Sequence, residues 1–169
     1  MAKELSKDEL IQKRVELENE TNELQTAAAE ATYSVDFENA SNLNSVLKQI
    51  DKSYRWNIKN AAFVINLYDN LKTEKLAIKK SGDTSYAINV NSINLNTLYQ
   101  VLTNIDGVGI ENAKTFTSIL TNVGQQITTA MQEMSANNKV IQEKHAALGE
   151  LDTKIAELSK ETVEADEIS

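Results

Sequence analysis

An apolar residue recurs at seven-residue intervals across the C-terminal third of this chain. In an α-helix this spacing keeps the side chains on one face, where they can pack against another helix as the seam of a coiled coil. We therefore predict a long helix from about Ile110 to about Lys160 that carries a seam for an oligomer or a partner. The seam positions are Leu120, Ile127, Met134, Ile141, Leu148 and Ile155.

A companion set of positions runs beside this seam and changes its offset from four residues to three. It comprises Val123, Ala130 or Met131, Asn138, His145, Leu151 and Leu158. Such a shift predicts that the facing partner changes along the helix or that the supercoil is locally adjusted. A buried Asn138 could fix register and oligomeric state. The alternative is an exposed asparagine beside Asn137, where the seam opens.

The rest of the chain also favours helix, because it has no proline and only five glycines among 169 residues. Ser6 and Glu9 have the spacing of a capping box, which predicts a first helix over 6–32. A second helical stretch could run unbroken from 37 to 80. The alternative is a kink near Trp56-Asn57, because the polar Asn57 stands where the helical spacing calls for an apolar residue.

One segment departs from the helical pattern. Lys80 to Thr84 contains Gly82 among residues that bond to their own backbone, which indicates a turn. After it, Ile88 and Val90 alternate with polar residues at the period of a strand. This predicts one short strand, or a β-hairpin, near 84–95.

Together these patterns predict an all-α protein, a long-helix bundle or antiparallel coiled coil with a small head. We expect one elongated domain, 1–169, with stalk helices 6–32 and 110–160 packed antiparallel and with 37–109 as the central helix and head. Asparagines should decorate the head and suit it to contact with protein. They are Asn89, Asn91, Asn94, Asn96 and Asn104.

Charge and composition narrow the classes of partner. The net charge of -8 argues against non-specific binding of nucleic acid or of anionic lipid. Without cysteine there is no disulfide and no thiolate chemistry. The start lacks the apolar core of a signal peptide, and no stretch is apolar enough to span a bilayer. We expect a soluble protein, cytoplasmic or part of a virion or other large assembly, that does not bind membranes.

Candidate chemistry is sparse. His145 is the only histidine, and Glu143 and Glu150 do not share its face at the spacing of a helical metal site. We expect no metal, no cofactor and no catalytic residue. Four lysines crowd the end of the second helix, where they interact favourably with the exposed carbonyls of a helix terminus. They are Lys72, Lys75, Lys79 and Lys80.

The segment Ile105 to Phe116 resembles the helix-hairpin-helix motif of DNA-repair and recombination proteins. It has an apolar residue, a two-glycine turn at Gly107 and Gly109, then a small residue and an apolar one. The resemblance implies that the amides of both glycines hold a DNA phosphate, a geometry common at helix starts. Lys114 would be the nearby cation.

Two acidic residues, Asp106 and Glu111, flank that turn and oppose a phosphate. We therefore rank protein assembly first and helix-hairpin-helix nucleic-acid binding second. The expected function is non-enzymatic: self-association, as a homo-oligomer, or binding of another helical partner. An asparagine-rich chain without proline or cysteine is similar in style to small phage structural or assembly proteins.

Overall fold

The structure is a computed structural model that describes residues 5–107 and 109–167, with side chains up to residue 160. The described part is mostly helical, with five helices and a small two-stranded sheet. In chain order the elements are α1 (Lys7–Ala29), β1 (Thr32–Asp36), α2 (Ala40–Lys52), α3 (Ala61–Ser81), β2 (Ala87–Asn91), α4 (Ser92–Thr103) and α5 (Ile110–Glu167).

The chain divides into two compact units. The first, called the helical unit, consists of Met1–Glu30 and Glu133–Ser169. The second, called the mixed unit, is Ala31–Gln132. Helix α5 begins at Ile110, as predicted, and contributes residues to both units.

Strands β1 and β2 form the sheet of the mixed unit. They pair antiparallel, with Tyr33 opposite Val90 and Val35 opposite Ile88. Alternate residues are buried on each strand, so one face of the sheet covers the core. The strand at Ile88 and Val90 is confirmed, but the hairpin is wrong because its partner is β1. Period-two alternation identifies a strand without naming its partner.

The core of the mixed unit draws on both strands, α2, α3, α4 and the first part of α5. Several of its members have no exposed surface: Phe37, Leu43, Leu67, Leu98 and Val123. The side chains that shield this core from water therefore belong to one chain.

The central stretch is two helices, so the alternative with a break near Trp56-Asn57 is the observed one. Asn57 and Asn60 account for it. The side-chain oxygen of Asn57 accepts hydrogen bonds from the backbone N–H groups of Lys59 and Asn60 at 3.0 and 3.2 Å. In return, Asn60 Oδ1 accepts from the Asn57 N–H at 3.0 Å. These bonds start a new helical turn inside the stretch.

Asparagine and glycine set other boundaries in the mixed unit. Asn39 and Asn91 cap the starts of α2 and α4 with their side chains. Gly82, with φ of 72°, ends α3 in the left-handed conformation and confirms the predicted turn. Asn94, expected on the surface of the head, is instead buried, with 4% of its surface exposed.

Helix α1 and the C-terminal part of α5 form the helical unit. The capping box is confirmed: Ser6 Oγ accepts from the Glu9 N–H at 3.3 Å, and Glu9 Oε2 accepts from the Ser6 N–H at 2.7 Å. The helix ends at Ala29, and β1 begins shortly after it, at Thr32.

Two ion pairs give the relative direction of these helices. Arg14 Nε lies 2.6 Å from Asp152 Oδ1, and Lys144 Nζ lies 2.6 Å from Glu20 Oε2. A later residue of α1 thus meets an earlier residue of α5. The two helices run antiparallel, as the sequence predicted for the first and last helices.

Candidate assembly interface

The six predicted seam residues of α5 have different surroundings. Leu120 and Ile127 pack, half-buried, against the core of the mixed unit. The other half-buried members belong to the helical unit: Ile141, Leu148 and Ile155. Met134 lies between the two groups and is 59% exposed. The surroundings of the seam residues therefore change along α5.

Within the helical unit the seam is only partly covered. Among its described side chains, only Leu10, Thr21 and Leu151 are buried. Other seam positions on both helices remain half-exposed: Leu17, Leu24, Ile141, Leu148 and Ile155. Two helices cover one another along a single line, so an apolar stripe wider than that line stays partly in contact with water.

Further apolar side chains of the helical unit are exposed outright. Ile11 and Val15 lie one turn apart on α1 and are 40% and 47% exposed. On α5, Met134 and Val140 are 59% and 41% exposed. Apolar surface of this kind marks sites of interaction when it is grouped. Met134 is itself a seam residue, so part of this exposed apolar surface belongs to the seam.

Acidic side chains outnumber basic ones in the helical unit. Its residues include 17 acidic and 8 basic side chains, whereas the mixed unit has 8 acidic and 9 basic. The Asp152 carboxylate accepts a hydrogen bond from Arg14 and raises the pKa of the Arg14 guanidinium above its ordinary value, and Glu18 adds to this increase. These ion pairs are partly exposed, so each contributes little to stability. Association through this unit must overcome repulsion between acidic surfaces.

The polar candidates of α5 lie outside any closed seam. Asn138 and His145 are both exposed in the chain. The register role predicted for Asn138 requires a second chain to bury it, and so it stays a prediction. No group of three or more His, Asp or Glu side chains in the described part is arranged to hold a metal ion.

The two-glycine turn joins α4 to α5, as in the motif that it resembles. Gly109 has a φ of 95°, which favours glycine, and its carbonyl accepts the Ala113 N–H at 3.1 Å at the start of α5. Lys114, the cation suggested for phosphate, is paired with Glu111 at 2.8 Å. Val108 lies outside the described residues. The turn thus presents carboxylates beside its amides, which disfavours a phosphate contact.

The lysines predicted at the end of the second helix lie on α3. Lys79 and Lys80 occupy its last turn, where cations favour the helix terminus. Lys72 lies over the ring of Tyr68, 5.3 Å from its centroid.

Comparison with known proteins assigns no relative. No family model, curated protein or solved structure matches this chain. Across the described residues, no helix combines the length and apolar character needed to cross a membrane.

Proposed function

We propose that this protein is a non-enzymatic assembly component whose helical unit binds the helical unit of a second copy as a coiled-coil bundle. The half-covered seam is the observation that carries this proposal. Ile141 and Leu148 are apolar residues of a predicted seam, yet α1 leaves both of them half-exposed. A second copy would cover the remaining surface and could also enclose Met134.

Burial of apolar surface is the driving force that such a contact would use. Each Å² of apolar surface removed from water contributes about 25 cal/mol, against an association cost of about 4–15 kcal/mol. The acidic charge of the helical unit opposes pairing, and salt screens that repulsion. Association should therefore become stronger as ionic strength rises. A contact held by ion pairs between copies would show the opposite trend.

In this function the seam carries the binding, and His145 takes part in no proton transfer. A chain that associates in this way could serve as a scaffold or spacer in a virus particle or other large assembly. Asn138, exposed in the single chain, would lie at the bundle interface and could select its register.

The proposal is tested by three substitutions on α5 of the full chain. Leu148→Asp places a charge on the seam, whereas Gln142→Asp adds the same charge at an exposed position outside it. His145→Gln removes the titratable group and keeps a polar side chain. The mass of each variant is measured by light scattering, and its helix content by circular dichroism.

Leu148→Asp should abolish association through the helical unit, because the interface cannot bury an unpaired carboxylate without a large penalty. Gln142→Asp and His145→Gln should retain the mass of the native protein. Since Leu148 is half-buried within the helical unit, Met134→Lys provides a second seam variant at a site 59% exposed in the chain. Native association by both seam variants would refute the proposal.

A further inference from the structure

The loop between α2 and α3, residues 53–60, exposes two large apolar side chains and is called the tryptophan loop. Trp56 is the only tryptophan of the protein and is 65% exposed, and Ile58 is 85% exposed. Tryptophan is among the residues that most often dominate the energy of protein interfaces. An exposed pair of this kind is therefore a candidate anchor for binding.

The tryptophan loop is held in one conformation by its own hydrogen bonds. Besides the reciprocal bonds between Asn57 and Asn60, the side-chain amide of Asn60 donates to the Tyr54 hydroxyl at 3.1 Å. Because the backbone on both sides of Trp56 and Ile58 is already ordered, binding through them loses less conformational entropy.

A pocket of complementary character lies at the two-glycine turn. Its volume is about 220 Å³, and its apolar lining includes Leu102, Ile105, Phe116 and Leu120. Pockets for drug-sized ligands measure about 300–1,000 Å³, so this one suits a single large side chain. Gly107 and Gly109 also line the pocket.

The charges around the loop and the pocket are opposite. Arg55 and Lys59 flank the two apolar residues of the tryptophan loop, and both are exposed. Asp106 and Glu111 stand on either side of the glycines at the pocket, and both are exposed as well. Such complementarity favours encounter and fixes orientation.

The loop and the turn are also neighbours within the mixed unit. Asn104 and Asp106 of the turn line the same polar cleft as Tyr54 and Arg55 of the loop. A two-fold symmetric contact requires that one surface patch carry both complementary features, so that each copy gives and receives the same contact. This patch meets that requirement.

We propose that two copies of the mixed unit dock reciprocally, with Trp56 of each copy inserted into the two-glycine pocket of the other. Arg55 and Lys59 then face Asp106 of the second copy, because Glu111 is already paired with Lys114 of its own chain. This contact is independent of the helical unit. With both contacts, each chain carries two self-association surfaces, and copies can link one after another into an extended assembly.

Trp56 itself reports on this contact in the full-length protein. Its fluorescence is recorded as the concentration rises from about 0.1 to 200 µM, in the range where protein contacts of moderate affinity form. Transfer of the indole from water into an apolar pocket should move its emission to shorter wavelength as dimers form. The mass is measured in parallel by sedimentation.

Two variants identify the pocket. Ala113→Phe fills the pocket from an exposed position of its lining, and Ala77→Phe adds the same side chain on the exposed surface of α3. The emission shift should be lost in Ala113→Phe, with dimer affinity at least about tenfold weaker, and kept in Ala77→Phe. Ile58→Ser, which leaves the lining of the pocket unchanged, should also weaken the contact.

The seam of the helical unit and the contact of the mixed unit can each be disrupted by a separate substitution. In Met134→Lys, the mixed unit should still give dimers and the emission shift. In Ala113→Phe, only the contact through the helical unit should remain. Failure of one proposal therefore leaves the other measurable.

Three results would overturn the reciprocal contact. Emission unchanged over the whole concentration range would show that Trp56 stays in water. A short-wavelength emission that is independent of concentration would place Trp56 in the pocket of its own chain. A shift that appears only with vesicles of phosphatidylcholine and phosphatidylserine would assign the loop to a bilayer.

Discussion

In the described chain, 18 buried residues form one cluster in the mixed unit, whereas the helical unit buries only Leu10, Thr21 and Leu151. The difference follows from architecture. In the mixed unit, a sheet face and several helices surround the core from different sides. The described part of the helical unit consists of two helices, α1 and the C-terminal part of α5. The same kind of apolar residue is thus a closed core in one region and an open surface in the other.

Charge follows the same division. The excess of acidic side chains lies in the helical unit, while the mixed unit is close to neutral. High charge keeps a partly covered apolar surface soluble. It also makes any contact through that surface sensitive to salt, which distinguishes the proposed association of the helical unit from the oppositely charged contact of the mixed unit.

The largest expected effect is a cavity in the closed core. Phe37 has no exposed surface, and Phe37→Ala should lower the free energy of unfolding of the mixed unit by about 3–5 kcal/mol. Phe63→Ala is the matched control, since Phe63 is 49% exposed and its loss should cost much less. Urea denaturation followed by circular dichroism measures both. Equal losses would contradict the contrast between closed and open surfaces.

The next effect concerns the open seam. In a background carrying Ala113→Phe, Ile141→Asp should prevent association through the helical unit and remove the dependence of the melting temperature on protein concentration, because binding of a second copy stabilises the native state. The penalty in the associated state is about 2–5 kcal/mol. Thermal melts at several concentrations test this. A variant whose melting temperature still rises with concentration, in a background carrying Ala113→Phe, would show that the seam is not the contact.

A smaller effect is expected for the ion pair that joins α1 to α5. Arg14 and Asp152 are about one third and one half exposed, so solvent should screen the pair and leave it only a small contribution to stability. A double-mutant cycle with Arg14→Gln and Asp152→Asn measures this coupling. The coupling should shrink at high salt, unlike the apolar association. A coupling of several kcal/mol would mean that charge, and not apolar packing, holds the helical unit together.

The smallest effect is at the start of α1. Hydrogen bonds from Ser6, the backbone contact being the larger cause, lower the pKa of Glu9 below its ordinary value. A lowered folded-state pKa stabilises the helix above the ordinary glutamate pKa, and this contribution is lost as pH falls through the folded value. Glu9→Gln should therefore be less stable than the native protein at neutral pH, and the two should converge in acid. Circular dichroism melts at pH 7 and pH 3 would detect the convergence, and a difference that is unchanged at pH 3 would contradict this account of the cap.

Much of the helical structure could be predicted because its signals are local. The Ser6–Glu9 capping box, the start of α5 at Ile110 and the turn at Gly82 depend on residues within a few positions of one another. In the sequence, the only sign of the break at Asn57 was that this polar residue interrupts the apolar spacing. The reciprocal bonds with Asn60 that produce it have no strong sequence signature, since asparagine is as common in loops as in caps.

Long-range features were not predictable in the same way. The pairing of β1 with β2 joins Tyr33 to Val90, and nothing in either segment names the other. The shift in the companion seam of α5 allowed a change of facing partner, but it did not reveal that Leu120 faces the mixed-unit core while Leu148 belongs to the helical unit. The exposure of Trp56 was not predicted either. A tryptophan within an apolar-periodic stretch reads as core unless the helix break beside it is known.

The mass of the native full-length protein as a function of concentration and salt tests the central claim most directly. Sedimentation equilibrium of the native protein and of Ala113→Phe, at low and high salt, isolates association through the helical unit. We predict that Ala113→Phe still exceeds the monomer mass of 18.8 kDa and associates more strongly at high salt. A mass of 18.8 kDa for Ala113→Phe at every concentration and salt would contradict the claim that the half-open seam binds a second copy.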